Sequence, residues 1–335
     1  MSNKTRFKIL FLLSLSIVIA WRNYIIVIGQ TSKPVLAALN KADGTLALID
    51  PQEMKVLGKA PTGESPHEVV LSADGRTAFV ANYGNAQTPG STLSVIDTET
   101  RKELRRVDLA PLARPHGLVE AGGKIYFTSE TNRLIGRYDP ATNRVDWLMG
   151  TGQNATHMIV VTPDQKRIFT TNIASDTVTA FEFQNVPPAP SRIVQIPVGR
   201  QPEAIAIAPD GKEVWVGLNA DGAIEVIDTA ANKSAAKIAL GERPYRLRFT
   251  PDGKLLLASI PTTKEIILID SATRKEIKRI KLDSVPLGMV FSKDGQTVYV
   301  TTVETDGVLK IDLNKGEVSG RAATGQAPDG IALGE

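Results

Sequence analysis

The sequence predicts an all-β fold built from one repeated unit, and three observations lead there. A segment with a period of about 42 residues recurs from residue 33 onward. Each copy reads as four short apolar stretches rich in Val, Ile, Thr and aromatic residues, separated by Gly, Asp, Asn and Pro. The first copy lacks an opening strand, and residues 325–333 read as an opening strand with no copy behind it. Four strands joined by tight turns form an antiparallel meander, because such turns cannot reach a parallel neighbour. A lone meander cannot bury both faces, so the copies must pack side by side. Six whole copies and one shared between the two ends predict a seven-bladed β-propeller of four-stranded antiparallel blades. The shared blade closes the ring and removes exposed sheet edges.

Residues 1–29 precede the repeat and read as a targeting segment. Lys4, Arg6 and Lys8 form a basic start, residues 9–20 an apolar run, and Ala20 and Gly29 small residues suited to a signal peptidase. A cleaved signal peptide on a periplasmic or secreted protein is expected. The alternative is an uncleaved membrane anchor, whose apolar run Arg22 and Asn23 would interrupt.

Residues 33–335 form the single propeller. In the first copy, residues 35–40, 45–49 and 55–60 match second, third and fourth strands. Whole copies open at Gly63, Arg114, Gly152, Gly199, Gly241 and Ser284. In the copy from Gly199, residues 204–208, 213–218, 223–227 and 235–240 are the four strands. Pro209-Asp210-Gly211 turns between the first two, since Gly tolerates positive φ. The Asp-Gly pairs at 74–75, 252–253 and 294–295 read as the same turn, not as calcium loops, which need further acidic ligands at fixed spacing. Two segments depart from the repeat. Residues 83–91 read as a long loop, and residues 184–191 as an extended, proline-rich surface insertion.

The second strands Phe79-Val80-Ala81-Asn82, Phe169-Thr170-Thr171-Asn172 and Tyr299-Val300-Thr301-Thr302 share one pattern. So do the third strands Val95-Ile96-Asp97-Thr98 and Val226-Ile227-Asp228-Thr229. With the Pro-x-Gly and Pro-Asp-Gly positions, these motifs resemble the YVTN-repeat β-propeller family over nearly all of residues 33–335. The resemblance implies seven blades and similarity to lactonase-like and cytochrome d1 domain-like propellers. It assigns no activity, because function sits in sites grafted onto a fold.

Charge narrows the partners. The chain has 39 Lys and Arg against 36 Asp and Glu; four of the bases, and none of the acids, precede residue 30, leaving 35 against 36. A nearly neutral propeller has no global field for polyanions, which argues against nucleic acid. A small-molecule ligand or a protein partner remains, with a membrane only if residues 1–29 stay attached. Cysteine is absent, so no disulfide and no thiolate ligand exists.

Candidate chemistry lies in the histidines. All three, His67, His116 and His157, occupy one register, just before the first strand of consecutive copies. The same register holds Glu203, Tyr245, Leu287 and Asp329 in the others. First strands line a propeller's central channel, so these residues are expected to ring one mouth. Duplication of one ancestral blade would also repeat a histidine without giving it a use. Against that, imidazole is the commonest metal ligand and an acid/base group near neutral pH. Counting along the copies places Asn82, Glu130 and Asn172 in a second register on the same blades.

The expectation is a metal site on His67, His116 and His157 for zinc, copper or nickel, with Glu130 as candidate base or ligand and amides at Asn82 and Asn172. Glu203, Tyr245 and Arg114 complete the ligand-binding set. Arg114, Arg200 and Arg243 near the mouth would suit an anionic ligand instead. A binding protein is the first reading. A lactonase-like, metal-assisted hydrolase on the same histidines is the second. There is no G-x-S-x-G, Walker-type loop or H-E-x-x-H.

Overall fold

The computed structural model describes residues 33–185, 187 and 192–334. Residues 1–29, and with them the targeting segment, lie outside that set. Among the described residues, seven four-stranded antiparallel sheets form a ring. Strands β1 (Val35–Asn40), β2 (Thr45–Asp50) and β3 (Lys55–Pro61) share a sheet with the last strand, β28 (Pro328–Gly334), in the order β28-β1-β2-β3. The shared blade is thus observed: Val35 pairs with Gly334 and Ala37 with Ala332.

The other blades each run through four consecutive strands. Their inner strands are β4 (Pro66–Leu71), β8 (Pro115–Ala121), β12 (Thr156–Val161), β16 (Pro202–Ile207), β20 (Arg246–Phe249) and β24 (Pro286–Phe291). We number these blades 1 to 6 and the shared one 7.

The core lies between adjacent blades. Met158, Val160 and Phe169 of blade 3 pack on Ile205, Val214 and Val216 of blade 4. Trp215 of blade 4 is fully buried with Leu247 and Ile267 of blade 5. Burying each such side chain stabilises the ring by about 1.5–3 kcal/mol, so a blade removed exposes two interfaces.

The repeated motifs have physical reasons. Six of the seven third strands end in Asp, which caps the next turn: Asp97 accepts the Thr100 N–H, Asp228 that of Ala231 and Asp270 that of Thr273. Asp74, Asp210, Asp252 and Asp294 accept backbone N–H groups two residues on, while the following glycines hold φ near 70°. The hydroxyl in the second-strand motif bridges blades. Thr128 Oγ1 accepts the Gly117 N–H of its own blade and donates to the His157 carbonyl of the next, at 2.9 and 2.7 Å. Thr171 repeats this between Met158 and Glu203, Ser259 between Arg246 and Leu287, and Thr301 between Gly288 and Asp329.

One backbone irregularity positions the site. In blades 1, 2, 3, 4, 6 and 7 the inner strand carries one extra residue against its partner, immediately after the opening Pro or Thr. The histidines and their equivalents in these six blades fall within this bulge, a device that re-aims a side chain and interrupts the ladder.

The first irregular segment differs from expectation; in the second, Gln184 and Asn185 are exposed as expected. Residues 83–91 are mostly strand: β5 (Thr77–Gly84) and β6 (Pro89–Asp97) continue pairing up to Gly84 and Pro89. The hairpin lengthens because Asn85 caps its own tip, accepting the N–H groups of Gln87 and Thr88. Of the proline-rich insertion, Pro187 is buried and its carbonyl accepts from Arg137; residues 186 and 188–191 lie outside the described set.

Candidate functional site

Three bulges on consecutive inner strands bring the histidines into ring-to-ring contact. The centroids of His67 and His116 are 5.0 Å apart, and those of His116 and His157 3.8 Å. Tyr83, lifted by the long β5–β6 hairpin, packs 4.7 Å from His67 and edge-on to His116 at 5.5 Å. Glu130, one residue past the end of β9 (Lys124–Ser129), completes the group. One of its carboxylate oxygens meets Nδ1 of His157, and the other accepts from the Tyr83 hydroxyl.

His116, Glu130 and His157 each offer a ligand atom, and these atoms lie within 4.8 Å of one another. His67 is outside that group; its Nδ1 faces Asp329 Oδ2 at 3.4 Å without hydrogen-bond alignment. Nδ1 of His67, Nδ1 of His116 and Nε2 of His157 are buried with no hydrogen-bond partner among the described residues.

Burial sets the protonation states. It pushes the His67 imidazole down to about 4 against the pull of Asp329. It drives His116 well below the ordinary histidine value, helped by the other two histidines. Both rings are therefore neutral near pH 7 and keep a lone pair for a metal. Burial would raise the Glu130 carboxyl, but hydrogen bonds from His157 and Tyr83 outweigh it and hold the group below its usual value. Tyr83 is pushed up to about 12 by burial and by Glu130, so it keeps its proton and donates.

Across the mouth, Arg246 of blade 5 is buried and reaches Glu68 of blade 1 at 2.6 Å. Glu203 and Asp329 stand 3.8 and 4.0 Å from the same guanidinium. Burial by itself would lower the Arg246 pKa, but these carboxylates outweigh it and hold the guanidinium charged, above its usual value.

Of the residues expected at the site, the structure gathers His67, His116, His157 and Glu130. Glu203 and Tyr245 belong to the arginine side: Glu203 accepts from Asn219, and the Arg246 guanidinium lies 4.4 Å from the Tyr245 ring centroid. Arg114 stacks over Tyr83 at 4.8 Å.

Asn82 and Asn172 are not brought to the histidines. Asn82 accepts the Gly63 N–H and donates to Thr92 and Ser94. Asn172 accepts from Thr156 and donates to Thr177 and Thr179. Both bond the hydroxyl of the residue they pair with on the neighbouring third strand, as Asn40 does with Thr45. Their registry partner in blade 2 is Ser129, because Pro115 pairs with Ser129 as Pro66 pairs with Asn82. The first turn of blade 2, Gly122-Gly123 with both φ positive, is two residues shorter than its counterpart in blade 1. Glu130 thus sits one position further on, at the register of Tyr83, and a one-residue step along a strand reverses the face. Sequence reasoning missed Tyr83, Glu68 and Arg246; a buried-strand register holding Glu and Arg was the available signal. A surface cleft of about 580 Å³ lined by Pro209, Phe249 and Arg274 includes none of these residues.

Comparison with known proteins agrees with the fold. Residues 185–333 match a family model described as YNCE-like beta-propeller. No curated protein matches the chain. A functionally unknown protein from Desulfotomaculum acetoxidans aligns at TM-score 0.78 and 14% identity over 90% of this chain and 99% of its own. A putative 6-phosphogluconolactonase from Bacteroides uniformis aligns at 0.74 and 15%, covering 90% and 100%. Hydrazine synthase from Kuenenia stuttgartiensis aligns at 0.68 and 18%, covering 80% and 89%. At such identities these structures share the fold alone. The chain is a seven-bladed β-propeller, and its residues 185–333 are similar to YNCE-like propellers.

Proposed function

We propose that the histidine side of the channel mouth is a binding site for a divalent transition metal, with His116 and His157 at its centre and Glu130 beside them. The observation that carries this reading is the pair of unpartnered buried nitrogens, His116 Nδ1 and His157 Nε2, in one cluster with a carboxylate. A buried polar atom without a partner costs about 1–3 kcal/mol, and a metal would supply the missing bond. Zinc, copper and nickel suit imidazole donors.

The local charge favours a cation over an anionic ligand. Among the described residues, Glu130 has no Lys or Arg ion-pair partner. The basic side chains considered for an anion are engaged: Arg114 over Tyr83, Arg200 on Asp221 and Arg243 on Glu203. A hydrolase reading rests on the same cluster. A metal held there would lower the pKa of a bound water and so supply a nucleophile.

Metal analysis of wild type beside His116→Ala tests the site. Wild type should retain or take up one ion and melt at a higher temperature with it, by about 2.7 kcal/mol at a hundredfold excess over Kd; His116→Ala should do neither. Wild-type protein that stays metal-free and gains no thermal stability with zinc, copper or nickel would refute the reading. Lactone or ester hydrolysis that needs the metal and vanishes in His116→Ala would establish the enzyme; loaded protein inert toward both would leave a binding protein.

A further inference from the structure

The short Tyr83–Glu130–His157 chain fixes which atom of each residue faces the metal. We infer that Glu130 is not a metal ligand but the outer partner that presents His157 through Nε2, and that Tyr83 is the positioning residue that holds Glu130 in that role. The inference rests on the metal-binding reading of this site and assigns roles within it.

Both carboxylate oxygens of Glu130 are already committed. Oε1 meets His157 Nδ1, and Oε2 accepts from the Tyr83 hydroxyl. A carboxylate only accepts, so His157 must donate from Nδ1. In the neutral ring the lone pair then lies on Nε2, the nitrogen left buried and unpartnered. A carboxylate on one imidazole nitrogen and a metal on the other is the usual outer-sphere arrangement; it fixes the tautomer and raises the ring's basicity. His116 offers Nδ1, the ring nitrogen left buried without a hydrogen-bond partner among the described residues.

Tyr83 can reach Glu130 only because β5 and β6 keep pairing up to Gly84 and Pro89. At the equivalent position blades 3 and 4 carry Ile173 and Asn219. A cation over the face of its ring, Arg114 at 4.8 Å, fixes Tyr83 from the other side. The longest second-to-third-strand hairpin among the described residues therefore serves the site directly.

The test uses the full propeller. In the metal-free protein, nitrogen NMR of the imidazoles should show His157 protonated at Nδ1 and bare at Nε2. On zinc addition, Nε2 of His157 and Nδ1 of His116 should carry the coordination shift. With cobalt(II) as a spectroscopic probe, Glu130→Gln should weaken binding about 10–100-fold while leaving the visible bands of the bound ion in place. Tyr83→Phe should weaken binding several-fold, again with unchanged bands, and His157→Ala should change the bands or abolish them. The inference is overturned if Glu130→Gln alters the cobalt spectrum as a lost ligand does, if zinc shifts Nδ1 of His157, or if Tyr83→Phe binds as wild type does. Protein with the expected apo tautomer that binds no metal would sink the metal reading instead.

Discussion

On one side of the channel mouth, blades 4, 5 and 7 bring Glu203, Arg246 and Asp329 together, and Glu68 reaches in from blade 1. On the other side, blades 1 to 3 bring His67, His116 and His157 against Tyr83 and Glu130. Both groups are buried and both are ionisable, yet they differ in satisfaction. The arginine side pairs its charges: a buried guanidinium stands among three carboxylates that hold it ionised, Lys41 and Arg243 reach two of them from the rim, and Asp329 Oδ1 is left without a hydrogen bond. The histidine side holds two rings neutral and leaves three ring nitrogens without partners. The charge-paired cluster ties blade 5 to blade 1 across the axis. The histidine cluster leaves the ring nitrogens that the proposed metal would bond. The two clusters together make the mouth asymmetric.

The largest way to break this contrast is to remove the strand that supports both sides. Deleting residues 325–335 takes away β28, with Asp329 and the inner edge of the shared blade. The expected result is aggregation, or a fall in melting temperature of more than about 10 °C, since 1 kcal/mol moves a domain of 150–250 residues by about 2–4 °C. A truncated protein that melts within a degree or two of the full chain would show that β28 does not close the ring.

Arg246→Met probes the charge-paired side alone. It leaves Glu68, Glu203 and Asp329 buried without their guanidinium, so a loss of about 3–5 kcal/mol is expected by denaturant unfolding. His116→Ala, which breaks no hydrogen bond made by the ring's Nδ1, should cost clearly less in the metal-free protein. Equal losses would mean that the two sides are alike after all.

The smallest effect sharpens the boundary of the open side. Asn82→Ala removes one acceptor and a donor shared by two hydroxyls inside blade 1. It should cost about 1–3 kcal/mol and leave metal affinity within about twofold, while Glu130→Gln reverses that pattern. A metal-binding defect in Asn82→Ala without loss of stability would put the amide back at the site.

The period of about 42 residues, the turn residues and the split first copy determined the ring, its seven blades and the shared closure before any coordinates. Those features are local and repeated, so each copy confirms the others. The common register of the three histidines was equally legible, because they precede the same strand in three copies. Only the tertiary structure decided which side chains meet them. Counting from histidine to strand end put Asn82, Glu130 and Asn172 together, but the two-residue Gly122-Gly123 turn shifts blade 2, and Glu130 falls beside the channel while both asparagines turn into their blades. Tyr83 was hidden because a stretch that reads as loop continues as paired strand. Arg246 and Glu68 are 178 residues apart, and no local pattern links them. Strand register and closure of the ring are long-range properties: one residue of slip reverses a face, and only the closed ring brings blade 5 across the axis to blade 1.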